Sequence, residues 1–165
     1  MKKTVMITLA MICFVVYAQT PSKQDVYREI VYRGIKFPDI AMSQAILESG
    51  SFTSKLAKHN NNFFGMRYPK VRQTTAVGQR YGYARYLSWK DSVKDYKLWQ
   101  DNLFRKYPNM TRSQYMNYIK KMYSETSNYI SLVKKIMNKN KIVYETKDSV
   151  CVSADVCVDS LRIVI

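Results

Sequence analysis

"QAILESGSFTSKLAKHNNNFFGM", residues 44–66, is the stretch on which the reading of this 165-residue chain turns. An apolar run ends at a single carboxylate, Glu48. Ser49 and Gly50 break the run, and three asparagines, Asn60 to Asn62, precede the aromatic pair Phe63 and Phe64. Upstream, Pro38-Asp39 opens a helix, with proline in its first turn and an acid near its positive end. That helix stops at Gly50, a residue suited to the left-handed position just past a helix. Phe52 to Ala57 continues as a short helical piece, and the asparagines form a loop tolerant of left-handed backbone.

Outward from this stretch the pattern is mostly helical. Pro21 to Ile35 predicts a first helix, capped by Ser22 with Asp25 three residues on. From Met66 to Leu87, prolines, glycines, threonines and tyrosines replace the helical period. This predicts two or three short strands with turns near Pro69 and Gly78. Ser88 and Asp91 form a capping-box variant at the head of a long helix, a further helix runs from Thr111 through Met122, and a last one from Asn128 to Met137 fades into lysines. The tail from Glu145 to Ile165 alternates β-branched and polar residues and predicts a hairpin or an edge strand.

The first 18 residues read as a secretory signal peptide. Lys2 and Lys3 precede the apolar run Val5 to Tyr17, and Val16-Tyr17-Ala18 offers small residues at a cleavage site. An uncleaved membrane anchor is the alternative. Setting the leader aside takes two of the 27 basic residues and none of the 12 acidic ones, so the remainder keeps a net charge of +13. An exported chain this basic is expected to meet a polyanion such as a cell-wall polymer or a membrane surface, with nucleic acid the weakest candidate; a merely solvated basic surface is the bland reading. The expected divisions are therefore 1–18 signal peptide, 19–144 a single domain and 145–165 a tail of unknown role. Cys151 and Cys157 in that tail have the spacing of a small-loop disulfide rather than of a metal site. His59 is the only histidine, which argues against a zinc centre or a histidine-activated nucleophile. No cofactor and no metal are expected, and the chemistry falls to carboxylates.

Glu48 is the candidate. A carboxylate at the C-terminal end of a helix faces the negative end of the dipole, and apolar neighbours such as Ile46, Leu47 and Phe52 add desolvation. Both effects keep the acid protonated toward neutral pH, as proton donation to a glycosidic oxygen requires. At helical spacing Ala41, Gln44, Ala45 and Glu48 share a face, whose small residues suit the floor of a cleft. An exposed, inert glutamate at a helix end is the common alternative.

The stretch "SQAILESGSFTSKLAKHNNNFFGMR" resembles the signature of the glucosaminidase family of peptidoglycan hydrolases, glycoside hydrolase family 73. Gln44, Leu47, Glu48, Ser49, Gly50, Ser54, Asn61, Asn62, Phe64, Gly65 and Met66 carry the match. "YARYLSWKDSVKDYKLW" resembles the family's second block at Tyr86, Ser88, Ser92, Asp95 and Tyr96, and "YSETSNYISLVKKI" its closing block at Tyr123, Asn128 and Tyr129. The resemblance implies an α+β, lysozyme-like fold, mostly helical, with a small β-hairpin lobe and a cleft between the lobes. It implies cleavage of the β-1,4 bond after N-acetylglucosamine in peptidoglycan, by a secreted or periplasmic enzyme, with monomer the expected state and no stable membrane insertion once the leader is removed.

By matched position, Glu48 would be the general acid and Tyr123 would lie near the cleaved bond. Gln44, Asn62, Phe64, Gly65 and Tyr129 would bind or shape the substrate site, Phe64 by stacking on a sugar face. One departure stands out. Glycosidases usually pair the acid with a second carboxylate, yet Met66 to Lys90 contains no aspartate or glutamate, and Asp39 and Asp91 are not at matched positions. That leaves a substrate-assisted reaction through the N-acetyl group, a water held by tyrosine and asparagine side chains, or a wall-binding module that has lost catalysis. A lytic transglycosylase, which also uses one glutamate, is the further alternative.

Overall fold

A computed structural model describes residues 20–123 and 128–148, without the side chains of Tyr123 and of residues 141–148. The expected signal peptide, both tail cysteines and the tail beyond Asp148 lie outside the described residues. The chain order is α1 (Lys23–Tyr32), α2 (Pro38–Glu48), α3 (Lys55–Asn60), β1 (Gly78–Arg80), β2 (Tyr83–Arg85), α4 (Trp89–Lys106), α5 (Arg112–Tyr123) and α6 (Tyr129–Asp148). No helix among the described residues is long and apolar enough to cross a membrane.

The central element is α2. It buries seven consecutive residues, Ile40 to Ile46, and a helix covered on all sides belongs in the middle of a domain. One core cluster joins Ala41, Met42, Ala45 and Ile46 to Val26 and Ile30 of α1, to Phe52, Phe63 and Phe64, and to Val93 and Tyr96 of α4. The other joins Ile40 to Leu103 and Phe104 of α4, to Tyr115, Met116 and Ile119 of α5, and to Tyr129 and Val133 of α6. Trp99 packs against both. Fully burying one such side chain is worth about 1.5–3 kcal/mol, so the two clusters on either side of α2 hold the end of that helix in place.

Both expected capping boxes form. Ser22 accepts from the Asp25 amide while Asp25 accepts from the Ser22 amide, and Ser88 and Asp91 do the same at the head of α4. Two expectations are corrected. The hairpin turn is at Tyr81 and Gly82, with Arg80 paired to Tyr83, and not at Gly78, which is the first residue of β1. Both turn residues have positive φ, 56° and 76°, the pattern that joins antiparallel strands through two residues. Glu145 to Asp148 continue α6 instead of starting a strand, so that helix runs well past Met137.

The asparagine loop fastens the hairpin to the helices. Asn61 caps α3 in left-handed backbone, φ 51°. The Asn60 amide donates to the carbonyl of Arg80 at 2.9 Å, and its own backbone carbonyl accepts from the Tyr86 amide at 2.9 Å. Asn61 donates to the carbonyls of Tyr86 and Leu87, at 3.1 and 3.0 Å. Asn62 donates to those of Met66 and Ala84, at 2.8 and 2.9 Å, and accepts from the Met66 amide at 3.1 Å. A three-residue hairpin offers many backbone groups and few strand partners, and buried backbone groups must be paired. Side-chain amides, which carry both donors and an acceptor, supply what a third strand otherwise would.

Candidate active site

Glu48 is the last residue of α2 and is followed by the C-cap Ser49. Its side chain is partly exposed, and its Oε1 accepts a 2.9 Å hydrogen bond from the Tyr129 hydroxyl, the first residue of α6. Burial pushes the carboxyl above its ordinary value, and the bond from Tyr129 pulls the other way. Desolvation penalises the charged form, while a donor to the carboxylate favours it. The negative end of α2 acts in the same direction as burial.

The other oxygen, Oε2, lies against Gly65. A Cβ built on Gly65 would meet Oε2 at 2.9 Å, and the residue has φ +61°. The left-handed backbone favours glycine there, and a side chain would displace the carboxylate from its present position.

The remaining expected site residues fall into two groups. Gly65 and Tyr129 do meet at Glu48. Gln44 lies one turn before Glu48 and, as the shared face predicts, reaches the same tyrosine: its Nε2 donates to the Tyr129 hydroxyl at 3.1 Å. Gln44, Asn62 and Phe64 have no exposed surface, so direct sugar contact is corrected for these three. Phe64 stacks on Tyr96 with centroids 4.1 Å apart, and its apolar face is spent inside the protein. Ala41 and Ala45 are likewise fully buried in the core and form no cleft floor. Tyr129 is 6 % exposed and touches the acid, not open solvent. Tyr123 ends α5; the role expected of its side chain lies outside what the structure describes.

Every other carboxylate among the described side chains has a structural partner. Asp25 and Asp91 close capping boxes. Glu29 pairs with Arg33, Asp39 with Arg112, and Asp101 with Lys97. Asp95, fully buried, receives both Arg72 guanidinium nitrogens at 2.7 and 2.8 Å and the Tyr86 hydroxyl at 2.7 Å. Burial works to raise the Asp95 carboxyl, but those hydrogen bonds and the charge of Arg72 bring it below its ordinary value. Its matched position thus marks a clamp between α4 and the loop carrying Arg72. No cluster able to hold a metal ion occurs among the described residues.

Sequence reasoning missed Gln100 and Tyr115, which lie behind Tyr96. The Tyr96 hydroxyl donates to Gln44 Oε1 at 2.6 Å and lies 2.6 Å from the Tyr115 hydroxyl, which accepts from Gln100 Nε2 at 3.1 Å. Tyr96 stood in a matched block. Gln100 and Tyr115 carry no motif, and only helix packing brings them there.

The family model described as mannosyl-glycoprotein endo-beta-N-acetylglucosaminidase matches residues 25–142. A stretch of 54 residues, 33% of this chain, is 50% identical to Protein bax of Escherichia coli (strain K12) and spans 20% of that protein's length. The crystal structure of the catalytic domain of the autolysin Auto from Listeria monocytogenes matches with a TM-score of 0.52, over 78% of this chain and 90% of that one, at 19% identity. The fold is therefore α+β and lysozyme-like, a helical body with a two-stranded hairpin. Since the family match spans most of the chain and includes Glu48, the protein belongs to the glucosaminidase family of glycoside hydrolases.

Proposed function

We propose that this protein is an exported peptidoglycan hydrolase that cleaves the β-1,4 bond after N-acetylglucosamine, with Glu48 as general acid. The observation that carries the reading is the contrast among the carboxylates. Glu48 alone among the described acids is free of ion pairs and caps, while burial holds its carboxyl above the ordinary range. Its protonated Oε2, beside Gly65, donates to the departing glycosidic oxygen, and the resulting carboxylate is received by the Tyr129 hydroxyl. General acid catalysis of this kind contributes about 10²–10⁴-fold. Gly65 shapes the space at the acid, Gln44 and Tyr129 hold it, and Asn62 and Phe64 support the loop from behind. For Tyr123 the proposal rests on the resemblance alone, which implies a place near the cleaved bond. A wall substrate implies an extracytoplasmic location, and the basic surface suits an anionic wall.

The lack of any aspartate or glutamate from Met66 to Lys90 is the feature that motivates a single-acid reaction. In the substrate-assisted form, the acetamido oxygen attacks the anomeric carbon as Glu48 protonates the leaving oxygen, and water then opens the ring intermediate with retention. A lytic transglycosylase needs the same single acid. The test is incubation of the mature protein and its Glu48→Gln variant with purified peptidoglycan, followed by mass spectrometry of the new ends. Reducing N-acetylglucosamine ends from the parent, reduced at least 100-fold in the variant, are expected. Anhydro-muramyl ends would move the protein to transglycosylase chemistry. Equal digestion by both proteins would remove Glu48 from the reaction. Binding without any new ends would make the protein a wall-binding module.

A further inference from the structure

Behind Glu48 a chain of buried hydrogen bonds crosses the protein, and from Gln100 onward its donors point toward the acid. It starts at the backbone of Lys36. The Lys36 amide donates to Gln100 Oε1 at 2.6 Å, and Gln100 Nε2 donates to the Lys36 carbonyl at 2.9 Å. These two bonds fix which end of the Gln100 amide is which, so the group facing Tyr115 is a donor. The Tyr115 hydroxyl accepts from it, and its own proton goes to the Tyr96 oxygen, 2.6 Å away. Tyr96 then donates to Gln44 Oε1, Gln44 Nε2 to the Tyr129 oxygen, and Tyr129 to Glu48 Oε1. Gln100, Tyr115, Tyr96 and Gln44 are at most 1 % exposed, so water does not compete along the path.

We propose that Gln100, Tyr115, Tyr96 and Gln44 are positioning residues for the glucosaminidase reaction: a one-way hydrogen-bond relay from the Lys36 backbone that fixes the polarity of the Tyr129 hydroxyl and tunes the acidity of Glu48. The inference rests on the reading of Glu48 as the acid. A hydroxyl that accepts a hydrogen bond becomes a better donor, and in a buried chain the strengthening passes from bond to bond, about 10–30% per bond. The relay thereby stabilises the carboxylate left after proton donation. Fixed orientation acts as well, since Tyr129 cannot turn its proton toward Gln44 without setting two donors against each other. Tyr115 is suited to this place because burial, against its hydrogen bonds with Tyr96 and Gln100, pushes its hydroxyl up to about 12, so it keeps its proton throughout the working range.

Among the described residues, the groups that reach Glu48 from its surroundings are few. From α6 comes Tyr129, while Lys134 and Lys135 are exposed. The loop presents Gly65. On α2 Asp39 is engaged by Arg112, on α1 Glu29 by Arg33, and on α4 Asp95 by Arg72. Among the described residues, the relay is therefore the specific polar influence on Glu48 from behind.

The test is the titration of the Glu48 carboxyl, followed by carbon-detected NMR on the protein without substrate, beside the pH profile of wall digestion. Tyr129→Phe should raise the Glu48 titration by about one pH unit, the loss of one charge-assisted bond. Tyr96→Phe and Tyr115→Phe keep their rings in the core and should raise it by roughly 0.1–0.5 unit. The alkaline limb of activity should move up with it, since the acid stays protonated longer. Tyr86→Phe, which removes a buried tyrosine hydroxyl outside the relay, should leave the titration in place. If either relay variant fails to fold, the other decides. An unmoved titration in a folded relay variant overturns the proposal, and so does an equal shift in Tyr86→Phe. Shifts in the expected order from a protein that releases no sugar ends would uphold the relay and defeat the hydrolase reading.

Discussion

Replacing Gly65 by alanine tests the site with a single methyl group. The added Cβ would stand 2.9 Å from Glu48 Oε2 and 3.6 Å from its Cδ, closer than a carbon and an oxygen approach without bonding. The carboxyl must swing away, and because Oε1 is tied to Tyr129 at 2.9 Å, moving Oε2 also strains that bond. The backbone adds a cost of about 1–2 kcal/mol, because residue 65 has left-handed φ. A domain of this size should then melt about 4–8 °C lower and remain folded at 25 °C. The effect on catalysis is larger, since misplacing a reacting group by about 1 Å costs about 100-fold.

Gly34→Ala is the matched control. Its φ is +63°, and its Cβ would meet only Lys97 Cε at 4.0 Å, so it carries a similar backbone cost far from the acid. Thermal melts and the rate of release of new ends from purified wall should show similar melting losses for both variants, with the 100-fold activity loss confined to Gly65→Ala. Equal activity in the two would refute the placement of Glu48 Oε2, and with it the oxygen assigned to proton delivery.

Two further outcomes concern the frame around the site. Asp95→Asn breaks a buried bidentate pair and should cost about 3 kcal/mol at neutral pH by denaturant melts. Because folding lowers the Asp95 carboxyl from 3.8, its contribution is present above that value and lost as pH falls through the folded-state titration. Parent and variant should therefore converge in acid, and a constant gap would contradict the assignment. Asn62→Ala removes three buried hydrogen bonds to the backbone of Met66 and Ala84 and should cost about 2–4 kcal/mol, with faster amide exchange across residues 78–85. A loss below about 1 kcal/mol would mean that the hairpin is held by something other than the asparagines.

Much of this protein was written in local sequence. Ser22 with Asp25 and Ser88 with Asp91 predicted their helix starts because a capping box needs only residues three apart. Glu48 was visible because a break at Ser49-Gly50 follows an apolar run, and a helix end with a carboxylate has a predictable electrostatic consequence. Gln44 was placed beside it by helical spacing alone. The strands near Gly78 were harder, since three-residue strands carry too short a period to fix a turn, and positive φ at Tyr81 has no signature in a tyrosine. The tertiary structure alone decided what surrounds the acid. Tyr129, Tyr96 and Tyr115 are three of fourteen tyrosines; motifs marked the first two, but only the packing of α4, α5 and α6 on α2 joins the three hydroxyls to Glu48. The asparagines were legible as a loop, but their partners in the hairpin lie 20 to 26 residues further along. Caps and periods depend on neighbours in the chain and can be read there; relays and clamps depend on neighbours in space, which only packing creates.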